Sequence, residues 1–539
     1  MAESPKPSTL DADILWQIFS CNTFSDENFT EPIAIRKNRQ DGKDSDEEDV
    51  VQHWWDTLDM DDETESSLIT ARHTSQVCTF WRQIMLASPN IWANTMNLRH
   101  LQQESDAWRT EVLRRTGTAL LSLIGHRLRA DTPGTEFFFS LLKSEAGRIR
   151  RISTSSTFSR GGVGGDSRWN TLFFRPAPYL EIMRFQYRHG QHHRNIIFLN
   201  QSSADTQDSP PVPATLFRNK APKLHTLILR GVKAYIGGLW NPNIRHLDIQ
   251  WSDIRYSLLP SLNQMQALQT LCLEGVTIED SPKGRFKLPQ LRQFTLNSSI
   301  HYASNFLEII EPSLDCSSTI KITEGMLGVS SPGPLESHFR QGITAHMQGR
   351  FSNQLFLKIT EDFIHIHNGI SFSIPGSVAP FNISVDFVLD TLPCLLLDIM
   401  SGLSSICITS VSLEISKSWY RDLLDESIDN FFNTLDSLET LHIKCRYLDL
   451  LTERLHSPED CVPPFPNLHT LVLDDRHSAQ VSFEPIMAFI ERRRAVGFPL
   501  KKLDLSRCMG LHANIIGSLN SIMNLNVTCG VPLRANLDL

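Results

Sequence analysis

The stretch Pro222-Lys-Leu-His-Thr-Leu-Ile-Leu229 decides the fold, because its aliphatic triplet Leu224/Leu227/Leu229 recurs along the chain. The spacing L-x-x-L-x-L returns at Ile244/Leu247/Ile249, Leu268/Leu271/Leu273 and Leu291/Phe294/Leu296. Upstream lie Leu180/Met183/Phe185 and a degenerate Ile149/Ile152/Thr154. Downstream lie Leu403/Ile406/Ile408, Leu438/Leu441/Ile443, Leu468/Leu471/Leu473 and Leu500/Leu503/Leu505. The central copies begin at 224, 244, 268 and 291, and the last three at 438, 468 and 500. Side chains alternate across a strand, so the last two positions of each triplet share one face while the first packs where the strand begins. One such strand buries nothing alone. Stacked copies in a parallel sheet, each returning through a helix or loop, are the predicted solution.

Outward from these copies, prolines at 178, 222, 289, 466 and 499 precede the triplets, where a strand needs no ladder donor. Return helices are predicted over 419–435, 483–496 and around Phe137–Leu142. Residues 105–117 read as a helix stopped by glycine, followed by a strand at Leu120–Ile124. The copy spacing fails over 297–402. There Phe356-Leu-Lys-Ile359 and the run from Phe363 read as strands with a turn at Asn368-Gly369, taken as divergent repeats rather than a separately folded insertion. Long loops are expected at 155–167, 201–215 and 329–335. The fold class expected is α/β: an amino-terminal helical module over 8–98, then an irregular solenoid with a parallel sheet over 99–539.

Composition narrows the function. The chain has 539 residues, 51 Lys and Arg against 60 Asp and Glu, and a net charge of −9. Nucleic-acid binding calls for clustered excess cations, so it is not expected. No run approaches the roughly 20 apolar residues that span a bilayer, and Met1–Ser8, with Glu3 and two prolines, does not read as a signal peptide. Ten cysteines stand singly, which suits reduced thiols in the cytoplasm or nucleus.

The first hundred residues read differently. Leu10, Ile14, Leu15, Ile18 and Phe19 mark one face of a short helix that Asp11 or Ser8 caps. Residues 25–67 are then rich in acids and poor in aliphatics, a disordered insertion by composition, with Trp54 and Trp55 its only large rings. Helical patterning resumes at Leu68. Val77, Phe80, Trp81, Ile84 and Met85 form a stripe over 71–86, ended by Ser88-Pro89, after which Ile91 and Trp92 fold back onto it.

These residues carry a resemblance. Leu10…Ile14-Leu15…Ile18-Phe19, then Val77-Cys78…Trp81-Arg82…Ile84, then Ser88-Pro89…Trp92, resemble an F-box split by the acidic insertion, although Asp11 stands where the family usually has proline. The repeats are similar to the leucine-rich repeats behind the F-box in many such proteins. The resemblance implies docking on a Skp-type adaptor and a cullin scaffold through Leu10, Ile14, Leu15, Ile18, Phe19, Val77, Cys78, Trp81, Ile84 and Trp92. It implies that the repeats hold a target protein. A non-catalytic repeat scaffold outside any ubiquitin ligase is the alternative.

Chemistry-bearing motifs are sparse. Arg160-Gly-Gly-Val-Gly-Gly165 lacks the Lys-Ser/Thr of a phosphate loop. His189-Gly-Gln-His-His193, and His365 with His367, have no second ligand pair. No catalytic residue, metal, cofactor or membrane contact is expected. The outward strand positions are Arg184, Arg230, His246, Asp248, Gln250, Glu274, Gln293, Asn297, His442, Lys444, Asp474, Lys502 and Asp504. Both signs are interspersed among them, which suits a protein partner better than a nucleic acid or a lipid.

Overall fold

The computed structural model describes residues 11–23, 67–129, 132–158, 168, 175–189 and, between 211 and 529, the segments that carry the elements named below. It is a mixed α/β fold with large parallel sheets, and the chain divides into two compact units, 1–195 with 203–268, and 269–539 with 196–202. Among the described residues no helix is long and apolar enough to cross a membrane. The acidic insertion, Trp54 and Trp55, Leu10, the glycine run at 160–165, most of the 419–435 helix and the 329–335 loop lie outside the described residues.

The first unit opens with α1 (Ala12–Thr23), α2 (Ser67–Thr74), α3 (Thr79–Leu86) and α4 (Pro89–Asn94). Asp11 caps α1, its Oδ1 accepting from the Asp13 N–H at 3.2 Å. The stripe expected to run unbroken over 71–86 is two helices. Ser75 Oγ donates to the Arg72 carbonyl at 2.7 Å and closes α2. Cys78 Sγ accepts from the Trp81 N–H at 3.4 Å and opens α3. A short polar side chain offers the backbone a partner outside the helix, and periodicity alone cannot register that competition. Leu15, Phe19, Ala71, Met85 and Ile91 make the core, with Trp81 and Ile84 packed against it. Phe19 meets Trp81 edge-on at 5.1 Å. Trp92 folds back as expected, its indole N–H donating to the Met85 carbonyl at 2.8 Å.

The same unit continues through β1 (Met96–Asn97), α5 (Ala107–Arg115), β2 (Leu121–Leu128), α6 (Pro133–Ser144), β3 (Ile149–Phe158), β4 (Ile182–His189), β5 (Thr226–Arg230) and β6 (His246–Gln250). These strands pair in parallel in chain order. Met96, Leu123, Ile152, Met183, Leu227 and Leu247 stand in one register row, and all are buried. Burying each such side chain contributes roughly 1.5–3 kcal/mol. The loop expected from 155 begins later, since β3 runs to Phe158, and the loop over 201–215 contains a two-residue strand, Pro211–Val212.

The second unit carries β7 (Thr270–Glu274), β8 (Gln293–Ser298), β9 (Ser317–Thr323), β10 (Gln354–Ile359), β11 (Phe363–Asn368), β12 (Phe381–Asp386) and β13 (Ser410–Ile415). Then come β14 (Thr440–Ile443), α7 (Leu448–Arg454), β15 (Thr470–Leu473), α8 (Phe483–Ala495), β16 (Lys502–Leu505), α9 (Ala513–Asn520) and β17 (Asn526–Cys529). Their spatial order is β7-β8-β9-β12-β11-β10-β13-β14-β15-β16-β17. All pairs are parallel except β10 with β11 and β11 with β12. The irregular stretch is thus an antiparallel meander seated in reverse order within the parallel ladder. Asn368 ends β11, where the Asn-Gly turn was expected to begin, and the residues that follow from Gly369 to Pro380 lie outside the described residues. The strand β9 does not match the spacing because Ser318 occupies the register position opposite Phe294, where the second apolar residue of a triplet belongs.

One triplet is corrected. The repeat placed at Leu403/Ile406/Ile408 is Ile408/Val411/Leu413: Val411 pairs with Leu441 and Leu413 with Ile443, and all three members are buried. Two overlapping frames satisfy the same spacing, and only pairing chooses between them.

The repeats share a turn. Leu180, Leu224, Leu291 and Leu468 each donate their N–H three residues back, to Ala177, Ala221, Leu288 and Phe465, at 3.1–3.2 Å. Pro178, Pro222, Pro289 and Pro466 sit second in these turns, where a fixed φ suits the geometry. That reason replaces the missing ladder donor. Gly231 and Gly275 leave β5 and β7 at φ +66° and +57°, a region costly for any side chain, and donate to Gln250 and Asn297.

Candidate functional site

The helical module divides its apolar residues between two sides. Leu15, Phe19 and Trp92 are buried inside it, so the expectation that they meet a partner is corrected: they hold the module together. Residues four apart share a helix face, and Leu15 with Phe19 takes the inner one. Ile14 and Ile18 remain outside, as does Val77, 62 % exposed in the turn before α3. Trp81 and Ile84 are half-buried against the core, and Cys78 is exposed at its cap position. Sequence reasoning left Trp16, Phe80 and Leu86 out of the docking set, yet each is more than a third exposed. For Trp16 the signal was present: a large ring stands off the apolar stripe. Six of the eight large exposed apolar residues among the described residues fall within 14–86, the others being Tyr179 and Met523.

The outward sheet face of the first unit is more cationic than the expected mixture. Arg184 is half-buried, while Arg230 and Gln250 are buried. Asp248 Oδ2 accepts from Arg230 Nη2 and from Gln250 Nε2, both at 3.2 Å. Arg151, which sequence reasoning passed over, adds a further guanidinium on β3. His246 and its neighbour His225 have pKa values lowered chiefly by burial, with Arg245 adding repulsion at both and Arg151 at His225.

The second unit differs. Glu274 Oε1 accepts from Asn297 Nδ2 at 3.2 Å, and Gln293 lies half-buried on the same strand. Further along, Asp474 accepts from Arg507 Nη1 at 3.2 Å, and Asp504 accepts from the Ser506 N–H at 2.9 Å. Burial lowers the pKa of His442, which Arg507 reinforces and Asp474 and Asp504 oppose. Lys444 is half-buried and Lys502 exposed. Signs do alternate here. Just past the carboxyl ends of β14 and β16, burial pushes the Cys445 thiol up to about 12 and the Cys508 thiol up to about 11, which suppresses the reactive thiolate.

The chain matches no family model and no curated protein. Among the described residues, no group of three His, Cys, Asp or Glu side chains is placed to hold a metal ion. The two surfaces that stand out, an apolar helical face and a charged sheet face, are suited to holding other molecules.

Proposed function

We propose that this chain is a substrate-recognition subunit of an SCF-type cullin ubiquitin ligase. Its F-box-like module docks on the Skp-type adaptor, and its leucine-rich-repeat-like array holds a target protein. The observation that carries this reading is the concentration of exposed large apolar side chains on α1, α3 and the turn between α2 and α3. Water-facing apolar area of that kind marks a protein interface. The ligase core then supplies the ubiquitin thioester, and this chain contributes proximity, raising the effective concentration of a target lysine.

Capture of the intact chain from cells, followed by detection of adaptor and cullin, tests the reading. Retention is expected for the intact chain. Ile18→Asp with Val77→Asp, at positions the core does not use, is expected to abolish it while leaving thermal unfolding unchanged. An intact chain that retains neither adaptor nor cullin overturns the proposal. A scaffold reading draws on one observation: Leu15, Phe19 and Trp92 are spent inside the module, which then stands without an adaptor. It predicts that the double variant keeps every partner.

A further inference from the structure

Three arginines on the outward face of the first unit stand on a diagonal. Arg151 on β3 is level with Ile182 of β4. Arg184, two residues further along β4, is level with Ile228 of β5. Arg230, two residues further along β5, is level with Gln250 of β6. Each step crosses one strand and advances two residues. With parallel strands about 4.8 Å apart and a rise of about 3.3 Å per residue, a step of one strand and two residues spans about 8 Å. Alternate side chains of an extended chain point the same way and recur about every 6.6–6.8 Å. The two repeats differ by about 1.5 Å per step, a gap that long arginine side chains can span.

The surroundings favour the same occupant. Ser153 and Ser155, the outward residues of β3 beyond Arg151, are small and uncharged, so they leave the face low beside the guanidiniums. Arg230 is oriented by Asp248, which Gln250 also holds. The diagonal therefore has one end set by an ion pair and two half-buried guanidiniums leading away from it. A nucleic-acid strand has a similar phosphate spacing, and Asp248 repels either anion alike, so stacking has to choose between them. No Phe, Tyr or Trp stands at the described outward positions of β3 to β6 to stack a base.

We infer that Arg151, Arg184 and Arg230 receive an extended acidic peptide segment whose anionic groups, carboxylate or phosphate, occupy alternate positions. This deepens the proposed function by stating the chemistry of the target, and it rests on the reading that the repeat face is the target-binding surface. Guanidinium–anion bonds are charge-assisted and directional, so spacing rather than total charge decides the fit.

The test uses the full-length chain and fluorescent peptides in an anisotropy titration. One peptide carries three glutamates at alternate positions, a second has the same three side by side, a third has glutamines, and a fourth has phosphoserines at the alternate positions. Alternate glutamates are expected to bind about tenfold tighter than contiguous ones and to weaken as salt rises. The phosphoserine arm tells carboxylate from phosphate: tighter binding there assigns the face to phosphorylated targets, and equal or weaker binding assigns it to acidic ones. Arg151→Gln and Arg184→Gln are each expected to lower affinity by about tenfold. Arg230→Gln strands Asp248 and is not relied upon. Equal binding of the two glutamate isomers, unchanged affinity in both variants, tighter binding of a single-stranded oligonucleotide, or binding of no peptide each overturns the inference. The assay contains no adaptor, so its failure is separate from a failure of ligase capture.

Discussion

Arg493 on α8 is wholly buried, and its guanidinium gathers three backbone carbonyls: Phe465 and Leu468 at 3.1 Å, and Phe498 at 3.0 Å. Burial lowers its pKa to about 10, so it remains charged at neutral pH and holds those acceptors with charge-assisted bonds. Arg493→Met is expected to destabilise the chain by roughly 2–4 kcal/mol, because it leaves buried acceptors unmatched. A urea-midpoint comparison checks this. Arg148 does similar work in the first unit, donating to the Gly117 carbonyl at 2.6 Å and the Ala119 carbonyl at 3.0 Å. Nothing in the sequence set Arg493 and Arg148 apart from exposed arginines, since two of the three acceptors of Arg493 come from a turn 25 and 28 residues away. Glu111 gives a pH-dependent case. Bonds from Arg114 and Arg115 hold its pKa near 2, below the usual 4.5. A carboxylate depressed on folding stabilises above about 4.5 and loses that contribution as pH falls toward 2. The gap in thermal midpoint between wild type and Glu111→Gln is therefore expected to be small at pH 6 and to close by pH 2.

At the scale of elements, periodicity found most strands and several helices, and it failed where two readings fit one pattern. The 403–408 triplet was such a place. Leu413 lies on the buried side of β13 and Ser412 on the other. Leu413→Ala is expected to lose about 2–4 kcal/mol, while Ser412→Ala stays within about 0.5 kcal/mol. Equal effects in denaturant titrations would argue for a slipped strand. The break at Ser75–Cys78 belongs here too: the apolar stripe continues across it, but side-chain bonds from Ser75 and Cys78 end one helix and begin the next. The residues proposed for docking were legible only in part. Ile14, Ile18 and Val77 are exposed as a partner requires, but Leu15 and Phe19 look the same in sequence and face inward.

For the molecule as a whole, strand-to-strand pairing organises each unit, so perturbations should pass between neighbouring strands and fade with each strand crossed. Leu441 pairs with Val411 on one side and Leu471 on the other. Leu441→Ala is expected to lower amide-exchange protection most in β14, less in β13 and β15, and least in β17. Uniform loss across β13 to β17 would mean that this unit opens as one cooperative block. The meander β10–β12 also belongs to this scale. Its strands were visible as short apolar runs, yet their reversed order between β9 and β13 depends on partners as far as 63 residues apart along the chain.

The amino-acid sequence by itself determined the repeating strand, the prolines that precede it, most of its buried triplets and the contrast between an amino-terminal helical module and the strands that follow it. Those follow from local periodicity, which needs only the geometry of one element. Tertiary structure alone decided which of two overlapping triplets is paired, which apolar residues of the helical module are left exposed, and that three arginines from distant strands share one diagonal. Each of those depends on what a neighbouring element brings alongside, and long-range pairing energy has no signature in a single segment.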